Sequence, residues 1–386
     1  MVRVQANPEV LRWARHRVGI DADHVRAKFA VHDWESGRRN PTLKQLQGYA
    51  DATHTPIGAF FLPTPPEDTL PIADFRTIQN ERIDRPSTNL LAVIEICQLR
   101  QDWYRAYALE NGAEPLEFVG YARLHDDPAE AAGIVRKAVG IELSARAQFP
   151  RWVDAFRAFV RDVEEAGVLV MVSGVVGANN KRVLDPNEFR GFALTDGVAP
   201  LIFINGRSSL SAKTFTLAHE LAHLALGNSG VDSAGLESRP TSSPGLERWC
   251  NTFAGELLVP TDDLLSQVSA APGEPITLAH GLAHRYKVST LVLLRRLFDI
   301  GAVGGWDEYQ QIYTAERDRL LELARARGGG GTFHRNQAAR LGRRFSSAII
   351  ASVAEGRTLM RDALELTNLS KPNTFDSFAR SLRTGE

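Results

Sequence analysis

The segment from Thr216 to Leu226 constrains the fold more than any other, because it places two histidines one helical turn apart in an otherwise apolar stretch. His219 and His223 occupy positions i and i+4 of a predicted helix, so their imidazoles are neighbours on one face. Glu220 lies beside them and can act as a base next to any ion that both imidazoles hold. This His-Glu-x-x-His spacing predicts a zinc site suited to hydrolysis by water.

The apolar residues of this segment surround the predicted helix almost completely. At 100° per residue, measured from Phe215, the polar groups of His219, Glu220 and His223 fall in a sector from about 40° to about 140°. A helix that is apolar nearly all round is buried, and a buried carboxylate beside two imidazoles is costly unless a cation or hydrogen bonds compensate. A bound metal satisfies all three groups. The alternative is a pair of core histidines beside a salt-bridged glutamate.

A catalytic zinc site needs a third protein ligand and keeps its fourth position open. The next predicted helix, residues 246–258, carries two candidate glutamates. Glu247 falls at about 100° from Leu246, inside the inward arc of apolar residues, whereas Glu256 falls at about 280° on the other rim. We therefore predict Glu247 as the third ligand and keep Glu256 as the reserve, with an ordinary rim carboxylate as the alternative role of Glu256.

Together the two segments resemble the ImmA/IrrE family of zinc metallopeptidases. The resemblance rests on residues 215–223 and on the downstream pattern Glu247-x-x-x-Asn251-x-Phe253-Ala254-x-Glu256-Leu257-Leu258-Val259-Pro260. It implies that His219, His223 and Glu247 hold Zn²⁺ and that Glu220 is catalytic. It also implies an intracellular protein that is encoded near a transcriptional repressor and removes that repressor by proteolysis.

The composition predicts an ordinary globular chain of two or three domains, with 44% hydrophobic residues, 24% charged residues and a net charge of −1. This balance implies no bulk affinity for nucleic acid or membranes. The first residues lack the apolar core of a secretory signal, and no apolar run approaches the ~20 residues of a membrane span. Two cysteines, Cys97 and Cys250, are too few for a disulfide framework or a thiolate zinc site, so we expect a cytoplasmic protein.

The first 65 residues are predicted to form a compact helical unit. Asn7-Pro8 predicts the start of one helix, which Gly19 ends, and Asp21 predicts the start of another that runs to about Ala30. The phrase Trp34-Glu35-Ser36-Gly37 followed by Pro41-Thr42 resembles the end of the recognition helix in phage-repressor-like (XRE-type) helix-turn-helix domains.

This unit departs from the helix-turn-helix pattern between Ala30 and Trp34, where about five residues that would contact bases in the major groove are missing. Sequence-specific DNA binding is therefore not favoured. A module for protein contacts or dimerisation is the alternative, and the sequence leaves DNA as a partner and a dimer open.

Apolar runs at residues 168–172, 192–194 and 201–204 predict the strands of a small sheet among many helices, so the predicted fold class is α+β. The predicted domains are a helix-turn-helix-like domain at 1–65, a linker and helical segment at 66–165, a zincin-like peptidase core at 166–300 and a helical C-terminal extension at 301–386.

Two further features lie after the predicted core. His280 and His284 repeat the i, i+4 spacing without an acidic residue between them, and we predict that they lie on a helix surface outside the active site. Residues 323–354 contain several arginines, no Asp or Glu, and the run Gly328-Gly329-Gly330-Gly331, which predicts a hinge or loop. Their positive charge either meets phosphate or an acidic partner, or is simply solvated.

The predicted function is that of a zinc-dependent endopeptidase with a protein substrate, such as a transcriptional repressor or another regulator. The alternative is a DNA- or protein-binding regulator, or an antitoxin-like module, with a structural or vestigial metal site. The fate of the partner distinguishes the two, because a binding protein leaves its partner intact.

Overall fold

The computed structural model describes residues 3–18, 20–21, 28–66, 74–75, 86–228, 230–232, 245–270, 273–325 and 333–384. The chain divides into two compact units, residues 1–71 with 84–94 and residues 72–83 with 95–386. Within the described ranges the protein is α+β, as predicted. None of the helices in these ranges combines the length and apolarity that a membrane crossing requires. The four-part division drawn from the sequence stays a prediction.

The first unit is a small helical unit with an aromatic core. Its elements are α1 (Pro8–Arg17), α2 (Val31–Glu35), α3 (Leu43–Thr53) and a 3₁₀ helix (Ile57–Phe61). Helix α1 begins at the predicted place, where the side chain of Asn7 accepts a hydrogen bond from the amide of Glu9. Gly19 and residues 22–27, which carry most of the second predicted helix, lie outside the described residues.

The end of that second predicted helix at Ala30 is wrong. Residues 28–30 are not helical, and Ala30 instead precedes the five-residue helix α2. The ring of Phe29 turns into the core, 5.5 Å from that of Tyr49 and 5.9 Å from that of Trp34. Burial of this aromatic cluster therefore sets the backbone here, because tertiary packing overrides local helix propensity.

The second unit contains most of the helices and all the strands that the structure describes. Its helices, of which the first begins in the first unit, are α4 (Thr88–Glu110), α5 (Pro128–Val139), α6 (Leu143–Gln148), α7 (Trp152–Glu165), α8 (Leu210–Leu226), α9 (Gly245–Leu258), α10 (Thr261–Ala270), α11 (Pro275–Tyr286), α12 (Thr290–Asp299), α13 (Trp306–Arg325), α14 (Phe333–Leu341), α15 (Arg343–Ala354), α16 (Met360–Thr367) and α17 (Pro372–Thr384). Its strands are β1 (Asp74–Phe75), β2 (Leu169–Ser173), β3 (Val175–Val176), β4 (Asn179–Val183), β5 (Gly191–Leu194), β6 (Leu201–Asn205) and β7 (Gly230–Asp232).

The main sheet has the strand order β1-β7-β5-β6-β2. Strand β5 runs antiparallel to both β6 and β7, while β2 is parallel to β6 and β1 is parallel to β7. The three predicted strands are β2, β5 and β6, and their existence is confirmed. The sequence did not predict β1 and β7, which have two and three residues, or the separate β3-β4 hairpin, whose second strand is polar and mostly exposed.

The helical segment predicted at residues 128–166 consists of three helices. Gly140 adopts a left-handed conformation, with φ 74°, and ends α5. This conformation suits glycine because it has no side chain to clash with the backbone. The second break falls at Phe149-Pro150, before α7.

Helix α15 is joined to α7 through the buried carboxylate of Glu164. Glu164 Oε1 accepts a hydrogen bond from the amide of Arg344 at 3.0 Å, at the start of α15. Gly342 precedes that helix with φ 74°, and a β-carbon there would lie 2.5 Å from the carbonyl oxygen of Val170. The guanidinium of Arg344 donates to Glu164 O and to the hydroxyl of Tyr104. Arg344 therefore makes its contacts inside the fold, unlike the partner-facing or solvated role that the sequence predicts for the arginines of this stretch. The tetraglycine run lies outside the described residues.

We expect Glu164→Gln to reduce the dependence of stability on pH. Burial raises the pKa of Glu164 from 4.5 to about 7, although the amide of Arg344 opposes the shift. The folded state therefore binds this proton more tightly than the unfolded state does. The resulting stability is fully present below about pH 4.5 and is lost as pH rises through about 7, by roughly 3 kcal/mol. Urea unfolding near pH 5 and pH 8 measures the loss in both proteins.

The exposed neighbour Glu165 provides the control, because Glu165→Gln leaves the buried carboxylate in place and should keep the pH dependence of the parent. An equal loss of stability in the parent and in Glu164→Gln would contradict this account.

Candidate metal centre

Helix α8 is fixed at both ends by hydrogen bonds to its terminal backbone groups. Ser209 caps the first turn through its hydroxyl, and Gly227 ends the helix in the left-handed conformation, with φ 71°. The amides of Gly120 and Ala122 donate to carbonyls of the last turn at 2.9 Å. These contacts satisfy backbone groups that a buried helix end would otherwise leave unpaired.

The helix is buried over most of its length, as its apolar circumference predicts. Residues 214–225 are all buried, and the exposed fractions of His219, Glu220 and His223 are 0%, 0% and 1%. The three polar side chains of the pattern are thus removed from bulk solvent together. Their compensation must come from groups on neighbouring elements or from a bound ion.

Helix α9 supplies the neighbouring face. It packs through Trp249 and Phe253, whose rings stack at 5.4 Å, and the indole N–H of Trp249 donates to the carbonyl of Asp126. At its other end, Arg136 of α5 donates to the carbonyls of Glu256 and Leu257. The hydrogen bonds from Arg136 hold α9 against α5, and α9 also packs against α8, with Glu247 in its first turn.

Three potential ligand atoms converge between α8 and α9. The Nε2 atoms of His219 and His223 are 3.2 Å apart. The carboxylate of Glu247 lies 3.4 Å from the first of these nitrogens and 3.8 Å from the second. Ligands around a tetrahedral ion with bonds of about 2.0–2.1 Å are separated by about 3.4 Å. The donor types and their spacing therefore fit a small divalent cation.

Asn251 orients one of the two histidines. Its Oδ1 lies 3.1 Å from Nδ1 of His219. Because an amide oxygen can only accept, Nδ1 carries the proton and Nε2 keeps its lone pair. Asn251 is part of the pattern that carries the family resemblance, but no role was predicted for it. The available signal was its position four residues after Glu247, on the same helical face.

A cysteine also lies at this centre. The Sγ of Cys250 and one ring nitrogen each of His219 and His223 lie within 4.8 Å of one another, and all three residues are buried. The number of cysteines did not predict this position of Cys250, because two cysteines are too few for a thiolate site. The relevant signal is that Cys250 stands three residues after Glu247 and shares its side of α9.

The carboxylate of Glu220 lies where α8 passes closest to the sheet. A β-carbon on Gly191 of β5 would be 3.1 Å from Glu220 Oε1, 2.5 Å from the methyl group of Thr216 and 2.8 Å from the carbonyl oxygen of Phe203. Only glycine fits at that point without displacing its neighbours. The close approach places strand backbone directly beside Glu220.

Glu256, the reserve ligand, serves a different part of the fold. Its carboxylate accepts hydrogen bonds from the amide and hydroxyl of Thr261 at the start of α10. It also forms a buried ion pair with Arg296. The structure therefore brings Glu247 to the two histidines, whereas Glu256 joins α9, α10 and α12.

The other spaced pair of histidines lies elsewhere. Nε2 of His280 is 3.2 Å from the buried carboxylate of Glu316, and His284 packs edge-on against Trp152. Both histidines are exposed on α11. The prediction that they lie outside the active site agrees with these contacts.

Comparison with known families gives two matches along the chain. Residues 163–298 match the peptidase M78 family model, described as the IrrE N-terminal-like domain. This region runs from the end of α7 through α12 and includes His219, Glu220, His223 and Glu247. It supports the ImmA/IrrE resemblance and indicates a metallopeptidase-like domain. Residues 341–381 match a domain of unknown function, DUF8813. No curated protein is similar enough to the chain to count as a match.

We expect Gly191→Ala to destabilise the protein by about 1–3 kcal/mol, the usual cost of overpacking a core. The new methyl group would overlap Thr216 and the carbonyl of Phe203, and the resulting shift of α8 would displace Glu220. Urea unfolding measures the change. Gly133→Ala is the matched control, since a β-carbon there has no atom within 4 Å and lies on helix α5. Equal stability of the parent and Gly191→Ala would show that β5 and α8 leave room for a methyl group at Gly191.

Proposed function

We propose that the protein is a zinc-dependent endopeptidase whose zinc ligands are His219, His223 and Glu247. The convergence of two imidazole nitrogens and one carboxylate, with separations of 3.2–3.8 Å, carries this proposal. A ligand set of two histidines and one glutamate is typical of catalytic zinc in peptidases, where the fourth position stays open. Zinc bound there supplies a Lewis acid for the scissile carbonyl and lowers the pKa of water.

The remaining chemistry belongs to side chains of this chain. Glu220 accepts the proton of the attacking water and transfers it to the leaving amine. Its burial and the strand backbone at Gly191 support this role, because they exclude bulk water and limit the positions that the carboxylate can take. Asn251 acts as a positioning residue, since its contact with Nδ1 keeps the Nε2 lone pair of His219 directed at the site.

The proposed substrate is a specific regulatory protein, such as a transcriptional repressor, and the proposed location is the cytoplasm. The family resemblance supports this, and a peptidase in the same compartment as its host's proteins must be selective. We assign the first unit to contacts with partner proteins or a second copy of the chain rather than to DNA bases. Helix α2 has five residues and its Trp34 is buried in the core, so little of it is left for a groove.

Metal analysis of protein purified without chelator should give about one zinc per chain. His219→Ala and His223→Ala should abolish binding, and Glu247→Gln should weaken it strongly, because each removes one of three converging donors. Glu256→Gln is the matched control on the same helix. It should keep zinc while losing stability, since Arg296 then loses its buried ionic partner. Full occupancy in Glu247→Gln together with loss in Glu256→Gln would overturn the ligand assignment.

Glu220→Gln should keep the fold and the zinc yet lose hydrolysis, because an amide cannot accept the proton of the attacking water. The measurement is mass spectrometry of a peptide library made from cellular proteins, incubated with zinc-loaded parent or variant. New peptide ends should arise with the parent and with Glu165→Gln, a surface control, but not with Glu220→Gln.

Cleavage at the parental rate by Glu220→Gln would remove this residue from the mechanism. The alternative function, a regulator with a structural or vestigial metal site, gives a different result: the zinc-loaded parent would itself produce no new ends. Incubation with the products of neighbouring genes then tests for a single selective substrate.

A further inference from the structure

A second candidate site lies between α6 and α7, and its lining shares no residue with the metal centre. The structure has a cavity of about 200 Å³ there. Its apolar lining includes Ile141, Phe149, Ala155 and Phe159, and its charged lining consists of Glu142, Arg146, Arg161 and Asp162. The cavity thus combines an apolar wall with charges of both signs.

Arg146 is the unusual member of this lining. Its exposed fraction is 5%, and its Nε and Nη1 atoms are fully buried without a hydrogen-bond partner in the described ranges of the chain. The guanidinium lies 5.6 Å from the ring centre of Phe159. Burial, together with a smaller effect of the nearby Arg136, lowers the pKa of Arg146 to about 10, and Asp162 opposes the shift. A buried cation whose N–H groups lack acceptors is costly, so the fold gains from an acceptor that enters the cavity.

The other charged groups do not supply that acceptor. The carboxylate of Asp162 accepts a hydrogen bond from Arg161 at 3.2 Å, and Arg161 is half exposed. The two arginines and two carboxylates of the lining nearly cancel in charge. An anion that pairs with Arg146 is repelled by Asp162 and Glu142, and this repulsion is half as strong for a single negative charge as for a doubly charged anion.

We propose that this cavity binds a small monocarboxylate with an apolar body. Its carboxylate accepts a charge-assisted hydrogen bond from the guanidinium of Arg146. Its apolar part packs on Phe149 and Phe159. The cavity is smaller than the roughly 300–1,000 Å³ of drug-sized pockets, which limits the ligand to an acid such as a branched short-chain or single-ring one. The proposal does not depend on the peptidase function.

Calorimetric titration of the full chain with acetate, isobutyrate, benzoate and inorganic phosphate tests this site at constant ionic strength. We expect saturable binding of isobutyrate or benzoate that is at least tenfold tighter than that of acetate, with no saturable binding of phosphate. Arg146→Met should weaken that binding at least tenfold. Arg161→Met, in the same lining but more exposed, is the matched control and should bind like the parent.

The stability of Arg146→Met and the binding by a cavity-filling variant distinguish loss of the site from loss of the fold. Arg146→Met removes a buried charge that lacks acceptors, so it should fold at least as stably as the parent. If it does not fold, Ala155→Leu fills the cavity without changing its charge and should abolish binding. Binding that persists in Arg146→Met or in Ala155→Leu, equal binding of phosphate, or no binding of any carboxylate would each overturn the proposal.

Discussion

The burial of two imidazoles and a carboxylate inside α8 is the constraint on which the peptidase-like domain depends. His219, Glu220 and His223 have almost no exposed surface. Removing such groups from water costs several kcal/mol unless other groups compensate. The contacts around α8 make this burial tolerable: Asn251 contacts one imidazole, and the carboxylate of Glu247 lies near both Nε2 atoms.

The position of each contact depends on how neighbouring elements are anchored. Strand β5 reaches α8 only because Gly191 has no side chain, and α9 holds its angle because Glu256 ties its end to Arg296 and the start of α10. The two glutamates of α9 thus divide their work. Glu247 in the first turn contacts the histidines, while Glu256 in the last turn binds Thr261 and Arg296. The three ligand atoms stay together only if α8 and α9 keep their positions, since a shift of α9 along α8 would separate them.

The sequence predicted the parts of this site that follow from helical periodicity. The 100° rotation per residue gave the shared face of His219 and His223 and the inward position of Glu247. It gave neither the close approach of β5 nor the proximity of Cys250 to the imidazoles, because both depend on how separate elements pack. The fold shows the same limit. Apolar runs predicted β2, β5 and β6, but β7 has three residues, too few for a periodic signal, and the packing of Phe29 on Tyr49 overrode the predicted helix end at Ala30.

Buried ionisable side chains outside the metal centre differ in whether the fold supplies their hydrogen-bond partners. Glu164 is buried with a raised pKa, and its hydrogen bond from the amide of Arg344 joins α7 to α15, so its burial is explained by the fold. Glu256 is explained in the same way by Thr261 and Arg296. Arg146 is as deeply buried as either, but two of its nitrogens lack an acceptor within the described chain, and an open cavity adjoins it. A charge that folding alone does not compensate is one that a ligand can, and this difference distinguishes Arg146 from the other buried ions.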